Sequence, residues 1–153
     1  MNALMTERPD KLSIVVFSGA FDRVHYALLT ASAAIAIGIP VTLFFTMGAC
    51  RALQRPGSDG RAAWGSMPLS EGTDAQYGNG ASLDAAFKTH GVAGFEELLS
   101  ACVALKVRFM VCETGLKALG LDRKGLRQDV PLEEGGVVTF LNDASKNGQL
   151  IFV

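Results

Sequence analysis

The chain has 153 residues, about the size of one domain on the usual range of roughly 100–200 residues. Hydrophobic residues make up 49% and charged residues 19%, a balance that excludes an intrinsically disordered chain. The formal net charge is -1 and no basic block occurs, so no nucleic-acid partner is expected. We expect a single domain over 1–153, with 1–11 as a flexible N-terminus.

Cysteine and histidine are scarce and irregularly spaced. Three cysteines, Cys50, Cys102 and Cys112, form a poor disulfide framework and fit a reducing compartment. They make no Cys/His spacing with His25 or His90, so we expect neither a metal site nor a cofactor. The opening stretch MNALMTERPDKL lacks the apolar segment of a signal peptide, which favours a cytoplasmic location.

The first half of the chain predicts a strand, a helix, a strand and a short helix. Residues 13–17, SIVVF, form an apolar run typical of a strand covered on both faces. Asp22 has the chemistry of a helix N-cap, and the helix is expected to run to about Ile37, before Gly38. A second strand, VTLFF, follows at 41–45, and a short helix is expected from Met47 to Gln54, before Pro56 and Gly57.

The uncharged stretch from Ala27 to Thr46 is long enough to cross a bilayer. Gly38 and Pro40 divide it into an alanine-rich half and a β-branched, aromatic half. A buried helix followed by a buried strand explains both halves, whereas a spanning helix would carry proline in its interior. The membrane alternative is therefore the weaker one.

Residues 55–93 differ in kind, since glycine, serine, proline and alanine dominate and no periodicity persists. A loop of this length inside a domain is uncommon and is usually functional or mobile. We expect a partly ordered excursion that covers one end of a sheet, with Trp64 and Tyr77 among the side chains able to hold it down.

Regular patterns return at Phe95. Residues 95–105 predict an amphipathic helix, 107–112 a strand, and 114–119 a short helix ended by Gly120. Apolar residues at Val137, Phe140, Leu141 and Ala144 have helical spacing, and QLIFV at 149–153 predicts a last strand. Strands separated by helices predict an α/β fold with a doubly wound, mainly parallel sheet and flavodoxin-like layering.

The carboxyl ends of the strands are where such a sheet binds its ligands, close to the switch in strand order. The loops after the first three strands meet there, which places Cys50 and Cys112 on one edge. The other residues expected to line this edge are Ser18, Gly19, Asp22, His25, Gly48, Glu113, Thr114 and Gly115.

Cys112 is the candidate catalytic residue, because it ends a strand and precedes a helix. Amide groups at a helix N-terminus stabilise a thiolate, whereas the neighbouring Glu113 opposes a second negative charge. A functional thiol here also has to be reachable from solvent. The competing interpretation is a small buried hydrophobic residue, as free cysteine often is.

The remaining candidates carry weaker expectations. Cys102 lies on the buried stripe of its helix and too far from Cys112 for a disulfide. If the strand order is 2-1-3, the loops of Cys50 and Cys112 are about 10 Å apart, at about 4.8 Å per strand, and Cys50 is a possible second, resolving thiol or an ordinary core residue. A lone histidine such as His25 is more often a packing residue than a site residue.

Three stretches together resemble the DsrE/DsrF/DsrH-like family of sulfur-handling proteins. They are FSGAFDRVHYALLTASAAIAIGIPVTLFFT, ELLSACVALKVRFMVCETGLKALGL, and GGVVTFL followed by LIFV, and they leave out only parts of 55–93. The chain departs from the family in reading FFTMGA where many relatives have FFTFWG, and ETGLKALG where they have methionine-rich residues after the cysteine.

The resemblance implies a DsrE-like α/β fold and a persulfide-carrying cysteine, which maps onto Cys112. It also implies a homo-oligomer that exchanges sulfur with TusA-like or rhodanese-like carriers. The leading hypothesis is a cytoplasmic sulfur carrier or sulfurtransferase. The alternatives are a non-enzymatic, homo-oligomeric module that binds a small ligand or partner, with Cys112 structural, and a peripheral membrane protein.

Overall fold

The computed structural model describes residues 7–73 and 75–153, which contain one parallel sheet. Its strands are β1 Leu12–Val16, β2 Val41–Phe45, β3 Arg108–Cys112, β4 Leu132–Gly135 and β5 Gln149–Phe152. The strand order is β4-β3-β2-β1-β5, and every neighbouring pair is parallel. The predicted α/β class is confirmed.

Helices connect the strands and flank the sheet. The α-helices are α1 Phe21–Ala36, α2 Gly80–Thr89, α3 Phe95–Ala104, α4 Glu113–Ala118 and α5 Val137–Asp143. Short 3-10 helices lie at Met47–Leu53, Ala63–Ser66 and Arg123–Gly125. Most of the predicted elements differ from these by one or two residues at their ends.

The alternation of side chains along each strand divides the interior into two cores. On β2, Leu43 and Phe45 face the larger core, which includes side chains of α1, α3 and α4. Phe44 points to the opposite face and belongs to a small cluster whose helical member is Phe140 of α5. One face is thus covered by several helices and the other by α5.

The helix α2 and the strand β4 were not predicted, nor were the short 3-10 helices at Ala63–Ser66 and Arg123–Gly125. The α2 helix interrupts the supposedly irregular 55–93 segment, and its start is capped by the Asn79 side chain, which accepts from the Ser82 N–H at 3.1 Å. The edge strand β4 contains Glu133 and Glu134 and lacks an apolar run. It forms by backbone pairing with β3, which a local pattern does not reveal.

Asp22 is not the N-cap of α1, which is Ala20. Its carboxylate instead accepts from the Ser70 N–H at 2.8 Å and from the Ser70 hydroxyl. Further along, the Trp64 indole N–H donates to Glu96 of α3 at 2.8 Å. The long segment is therefore fastened to the helical layer at both of these points.

The chain runs from β1 outward to β4 and then returns across the sheet through α5 to β5. The switch in strand order consequently lies between β1 and β5. At this point the backbone N–H groups of Phe17 and Ser18 both donate to the Val153 carbonyl, at 2.8 and 3.2 Å. Cys112 lies two strands away from the switch, at the end of β3.

The helix α5 ends at Asp143 and buries less of its apolar stripe than its spacing predicts. Phe140 is buried, but Val137 and Leu141 are each 54% exposed and Ala144 lies beyond the helix. The reason is that a seven-residue helix contacts the sheet over little more than one turn. The predicted helix is therefore present, but Phe140 is the one buried side chain among the four apolar residues at helical spacing.

The carboxylate of Asp143 anchors the end of α5 to the sheet. It accepts from Lys11 Nζ and from the Thr42 hydroxyl, each at 2.6 Å, and pairs with Arg108. Burial by itself would raise the pKa of Asp143, but the bonds from Lys11 and Thr42 and the two positive charges outweigh it and lower the pKa. Two strands, β2 and β3, and the segment just before β1 are thus joined to α5 through this one side chain.

The stretch from Ala27 to Thr46 folds as the C-terminal part of α1, a turn and β2, as its two unlike halves predict. Within residues 7–73 and 75–153, no helix is long and apolar enough to cross a membrane. The expected flexible N-terminus falls partly on 1–6, outside the described residues. The rest of that stretch, residues 7–11, is described, and within it Arg8 donates to the Ile37 carbonyl at 3.1 Å.

Candidate functional site

Cys112 is the last residue of β3 and immediately precedes α4. The strand's alternation turns its side chain toward α5, where it packs with Phe44, Met110 and Phe140. The residue is 2% exposed. The expected position at the end of a strand is therefore found, but the thiol is covered rather than open to solvent.

We expected the amide groups at the start of α4 to face the Cys112 sulfur. Cys112 occupies the N-cap position, yet its side chain accepts no capping bond. The α4 helix has only six residues, and Glu113 and Thr114 in its first turn are exposed. The surroundings of the sulfur are set by the apolar cluster on the other side.

The loops after β1, β2 and β3 do meet, as predicted, and they pack backbone against backbone. A Cβ on Gly48 would lie 2.8 Å from the Gly19 Cα, and one on Gly115 would lie 2.5 Å from the Met47 nitrogen. Only glycine fits such close approaches. The edge of the sheet beside Cys112 is consequently filled by the chain's own backbone.

The remaining residues expected at this edge perform local structural tasks. The Ser18 hydroxyl accepts from the Ala20 N–H at 3.1 Å, and Asp22 holds the long segment as described above. His25 is 3% exposed and its Nε2 donates to the Ala93 carbonyl at 2.9 Å. None of these three side chains belongs to the cluster around Cys112.

Cys50 lies closer to Cys112 in strand order than the assumed 2-1-3 arrangement allows. That assumption is wrong, because β2 and β3 are direct neighbours. Burial raises the pKa of Cys50 to about 12, and the nearby charge of Cys112 is the second cause. Cys50 itself packs in the larger core, whereas Cys112 belongs to the small cluster under α5.

Cys102 is a core residue, as its helical stripe predicts. It lies within the larger core on α3, and its Sγ approaches the Leu28 carbonyl at 3.6 Å. Burial raises its pKa to about 11. All three cysteines are free thiols.

An apolar groove of about 330 Å³ lies between α5 and the β1–β5 side of the sheet. Its walls are Val15, Phe17, Phe44, Thr46, Val137, Phe140, Leu141, Leu150 and Phe152. Phe44 and Phe140 stack at 4.7 Å between ring centroids and also contact the Cys112 cluster. The sequence does not reveal this groove, because the positions that form it are scattered over four elements, β1, β2, α5 and β5, and the loops after β1 and β2.

A second and larger concavity of about 660 Å³ lies along the 55–93 segment. Arg55, Arg61, Trp64 and Asn79 are among its lining residues. It lies apart from the Cys112 cluster, with which it shares no residue. In the part of the chain that the structure describes, no group of three or more His, Cys, Asp or Glu is placed to hold a metal ion.

Comparison with known proteins assigns the family. The model of the DsrE/DsrF/DrsH-like family matches residues 8–152. The chain belongs to this family. A curated relative, the uncharacterized protein YrkE of Bacillus subtilis (strain 168), is 28% identical over 97% of this chain and 100% of its own length.

Two solved structures show the same fold. A protein of unknown function from Methanobacterium thermoautotrophicum, MTH1491, superposes with a TM-score of 0.53 at 15% identity, over 94% of this chain and 98% of its own. The YchN protein of E. coli gives a TM-score of 0.50 at 16% identity, over 94% and 99%. Family membership supports a sulfur-related role for this DsrE-like chain.

Proposed function

We propose that this DsrE-like protein is a sulfur carrier or sulfurtransferase in which Cys112 holds a persulfide. The observation that carries the proposal is a thiol at the end of a central strand in a chain of this family. Cys112 is also the cysteine that borders a cavity-lining pair, Phe44 and Phe140. Cys102 has no such neighbour and lies deep in the larger core.

The transfer needs no external oxidant. The Cys112 sulfur attacks the outer sulfur of a donor R–S–SH, a new S–S bond forms, and the donor's S–S bond breaks. The donor leaves as R–SH with the electron pair and a proton, and Cys112 carries S–SH. An acceptor thiolate reverses these steps by attacking the outer sulfur, which returns Cys112 to a thiol.

Burial has a use in this scheme, because a covered persulfide is protected from stray thiols. Attack by Cys50 on a Cys112 persulfide would expel sulfide and leave a disulfide. Two observations oppose this reaction: Cys50 packs in the larger core rather than in the Cys112 cluster, and burial raises its pKa. We therefore assign the carried sulfur to Cys112 and a packing role to Cys50.

The test is intact-protein and peptide mass spectrometry after exposure to a persulfide or polysulfide donor. The parent should gain sulfur on the Cys112 peptide, the Cys112→Ser variant should gain none there, and Cys50→Ala should retain the gain. Cys102→Ala is the matched control for loss of a buried thiol. Equal loading of the parent and Cys112→Ser would remove the proposal.

One observation favours a second candidate, a ligand-binding module in which Cys112 is structural. The thiol is 2% exposed and is packed among aromatic and methionine side chains. The concavity along 55–93 would then hold the ligand. Complete resistance of Cys112 to alkylation in the native state would favour this candidate over sulfur transfer.

Other implications of the resemblance stay predictions. These are the homo-oligomeric state, the exchange with TusA-like or rhodanese-like carriers, and the cytoplasmic location. Each concerns a partner or a compartment rather than the described chain.

A further inference from the structure

The way to Cys112 is restricted by how its cover is built. From the edge of the sheet, the tight backbone contacts of Gly48 and Gly115 close the approach. Beyond α5, the apolar groove reaches the stacked pair Phe44 and Phe140, and the same pair packs on Cys112. Side chains thus separate the groove from the sulfur, whereas backbone closes the edge of the sheet.

The groove has an unusual chemical character for a route to a reactive sulfur. Thr46 is the polar residue in its wall, and the structure describes no charged side chain lining it. Its volume of about 330 Å³ is at the lower end of the roughly 300–1,000 Å³ of small-molecule sites. An anion entering it would lose its hydration without meeting a cation, which is unfavourable.

We infer that sulfur reaches Cys112 through this groove from a neutral, apolar form of zero-valent sulfur, such as a ring of elemental sulfur, and that anionic donors such as thiosulfate are disfavoured. This inference rests on the proposed function of Cys112 as the sulfur-carrying residue. It adds the substrate class, which the charge and size of the groove select.

The loading step balances without another reactant. The Cys112 sulfur attacks one atom of the sulfur ring, an Sγ–S bond forms, and one S–S bond of the ring breaks. The electron pair remains on the far end of the opened chain, which takes up the proton lost by the Cys112 thiol. The product is a hydropolysulfide on Cys112 that contains all of the ring's sulfur atoms.

A pair of thiol reagents of similar length but different charge tests the route. Hydroxyethyl methanethiosulfonate is neutral and sulfonatoethyl methanethiosulfonate is an anion, and both release methanesulfinate. Labelling of Cys112 is followed by peptide mass spectrometry, and each rate is divided by the rate with free glutathione. The neutral reagent should be faster on this scale by about tenfold or more, because the groove offers the anion no counter-charge.

Charges placed at the rim of the groove sharpen the test. Leu141 is 54% exposed, so Leu141→Lys and Leu141→Glu should fold. The lysine should raise the anion's relative rate and the glutamate should lower it, by about three- to tenfold at low salt. Ile37, also 54% exposed but outside the groove, supplies the control pair Ile37→Lys and Ile37→Glu, which should change nothing.

Three outcomes overturn the inference. These are equal normalised rates for the two reagents, rim charges that act no differently from the control charges, and labelling that accelerates on dilution. The last would mean that a second copy of the chain covers the groove. Any of them can occur while Cys112 still loads sulfur, so the proposed function would survive.

Sulfur donors of different charge provide the last comparison. Dispersed elemental sulfur should load Cys112 faster than thiosulfate at equal sulfur concentration. The Leu141→Lys variant should reduce the difference between these two loading rates. Faster loading by thiosulfate in the parent would contradict the inference. If no donor loads Cys112 although the neutral reagent labels it through the groove, the proposed function fails and the route remains.

Discussion

The two faces of the sheet are covered to very different depths. On one face, α1, α3 and α4 enclose a continuous core in which Phe21, Phe45, Phe95 and Phe109 are almost fully buried. On the other, α5 contributes one buried ring, Phe140, to a four-residue cluster and leaves an open apolar groove beside it. The deep face contains most of the buried side chains, whereas on the thin face Cys112 packs in a small cluster with Phe44, Met110 and Phe140.

The difference between the two faces is tested first by removing one aromatic ring from each face. Phe95→Ala should cost about 3–5 kcal/mol in unfolding free energy, because Phe21 and Trp64 pack against it in a closed core. Phe140→Ala should cost less, about 2–3 kcal/mol, because the adjoining groove lets its neighbours relax. Urea denaturation measures both.

The rate at which a thiol reagent labels Cys112 should also distinguish Phe140→Ala from Phe95→Ala. In native buffer, Phe140→Ala should accelerate labelling by a neutral thiol reagent, and Phe95→Ala should change it only as far as global unfolding does. The comparison is broken if Phe140→Ala leaves the labelling rate of the parent unaltered, or if both variants lose equal stability.

The next largest change in stability is expected at Asp143, the residue that anchors α5 to the sheet. At neutral pH, Asp143→Asn should lower the unfolding free energy by roughly 2–3 kcal/mol, less than a fully buried pair, because Arg108 is partly exposed. The lowered pKa of Asp143 means that its contribution is present above the unfolded pKa of about 3.9 and is lost as pH falls through the folded value. Parent and variant should therefore converge in strong acid, as urea unfolding at several pH values will show.

Asp59→Asn is the control for this prediction. Asp59 pairs with Arg61 at 3.6 Å on the surface, and exposed pairs contribute about 0–1 kcal/mol. A loss at Asp59 as large as that at Asp143, or a gap at Asp143 that persists at low pH, would show that the α5 anchor is not electrostatic.

The smallest expected change in stability comes from Met47, at the closed edge of the sheet. Met47 has a φ of 49°, a left-handed conformation that costs a non-glycine residue about 1–2 kcal/mol. Met47→Gly should raise stability by about 0.5 kcal/mol, after the greater freedom of glycine in the unfolded chain is subtracted. Arg51→Gly in the same 3-10 helix lacks that strain and should lower stability in the same thermal melts.

Local patterns in the sequence predict several features of this protein. Short apolar runs placed β2 and β3 nearly to the residue, because a strand buried on both faces consists mostly of apolar side chains. The same runs put Cys112 at the end of a strand. Helical spacing likewise placed Cys102 in the core.

Other features depend on contacts between distant segments. The neighbours of β2 and the existence of β4 are fixed by backbone pairing along the sheet. The identities of the paired residues do not reveal this pairing. The N-cap role expected of Asp22 was overridden by Ser70, 48 residues away in sequence. Local propensity is a weak prior where such contacts compete.

The sequence by itself determined that a thiol ends a buried strand of an α/β fold, because a short apolar run is a local signal. Only the tertiary structure decided that this thiol lies under Phe140 and beside an apolar groove. That arrangement depends on where α5 crosses the sheet. At the end of α5, Asp143 binds Lys11, which precedes β1, and Thr42 and Arg108, which lie on β2 and β3.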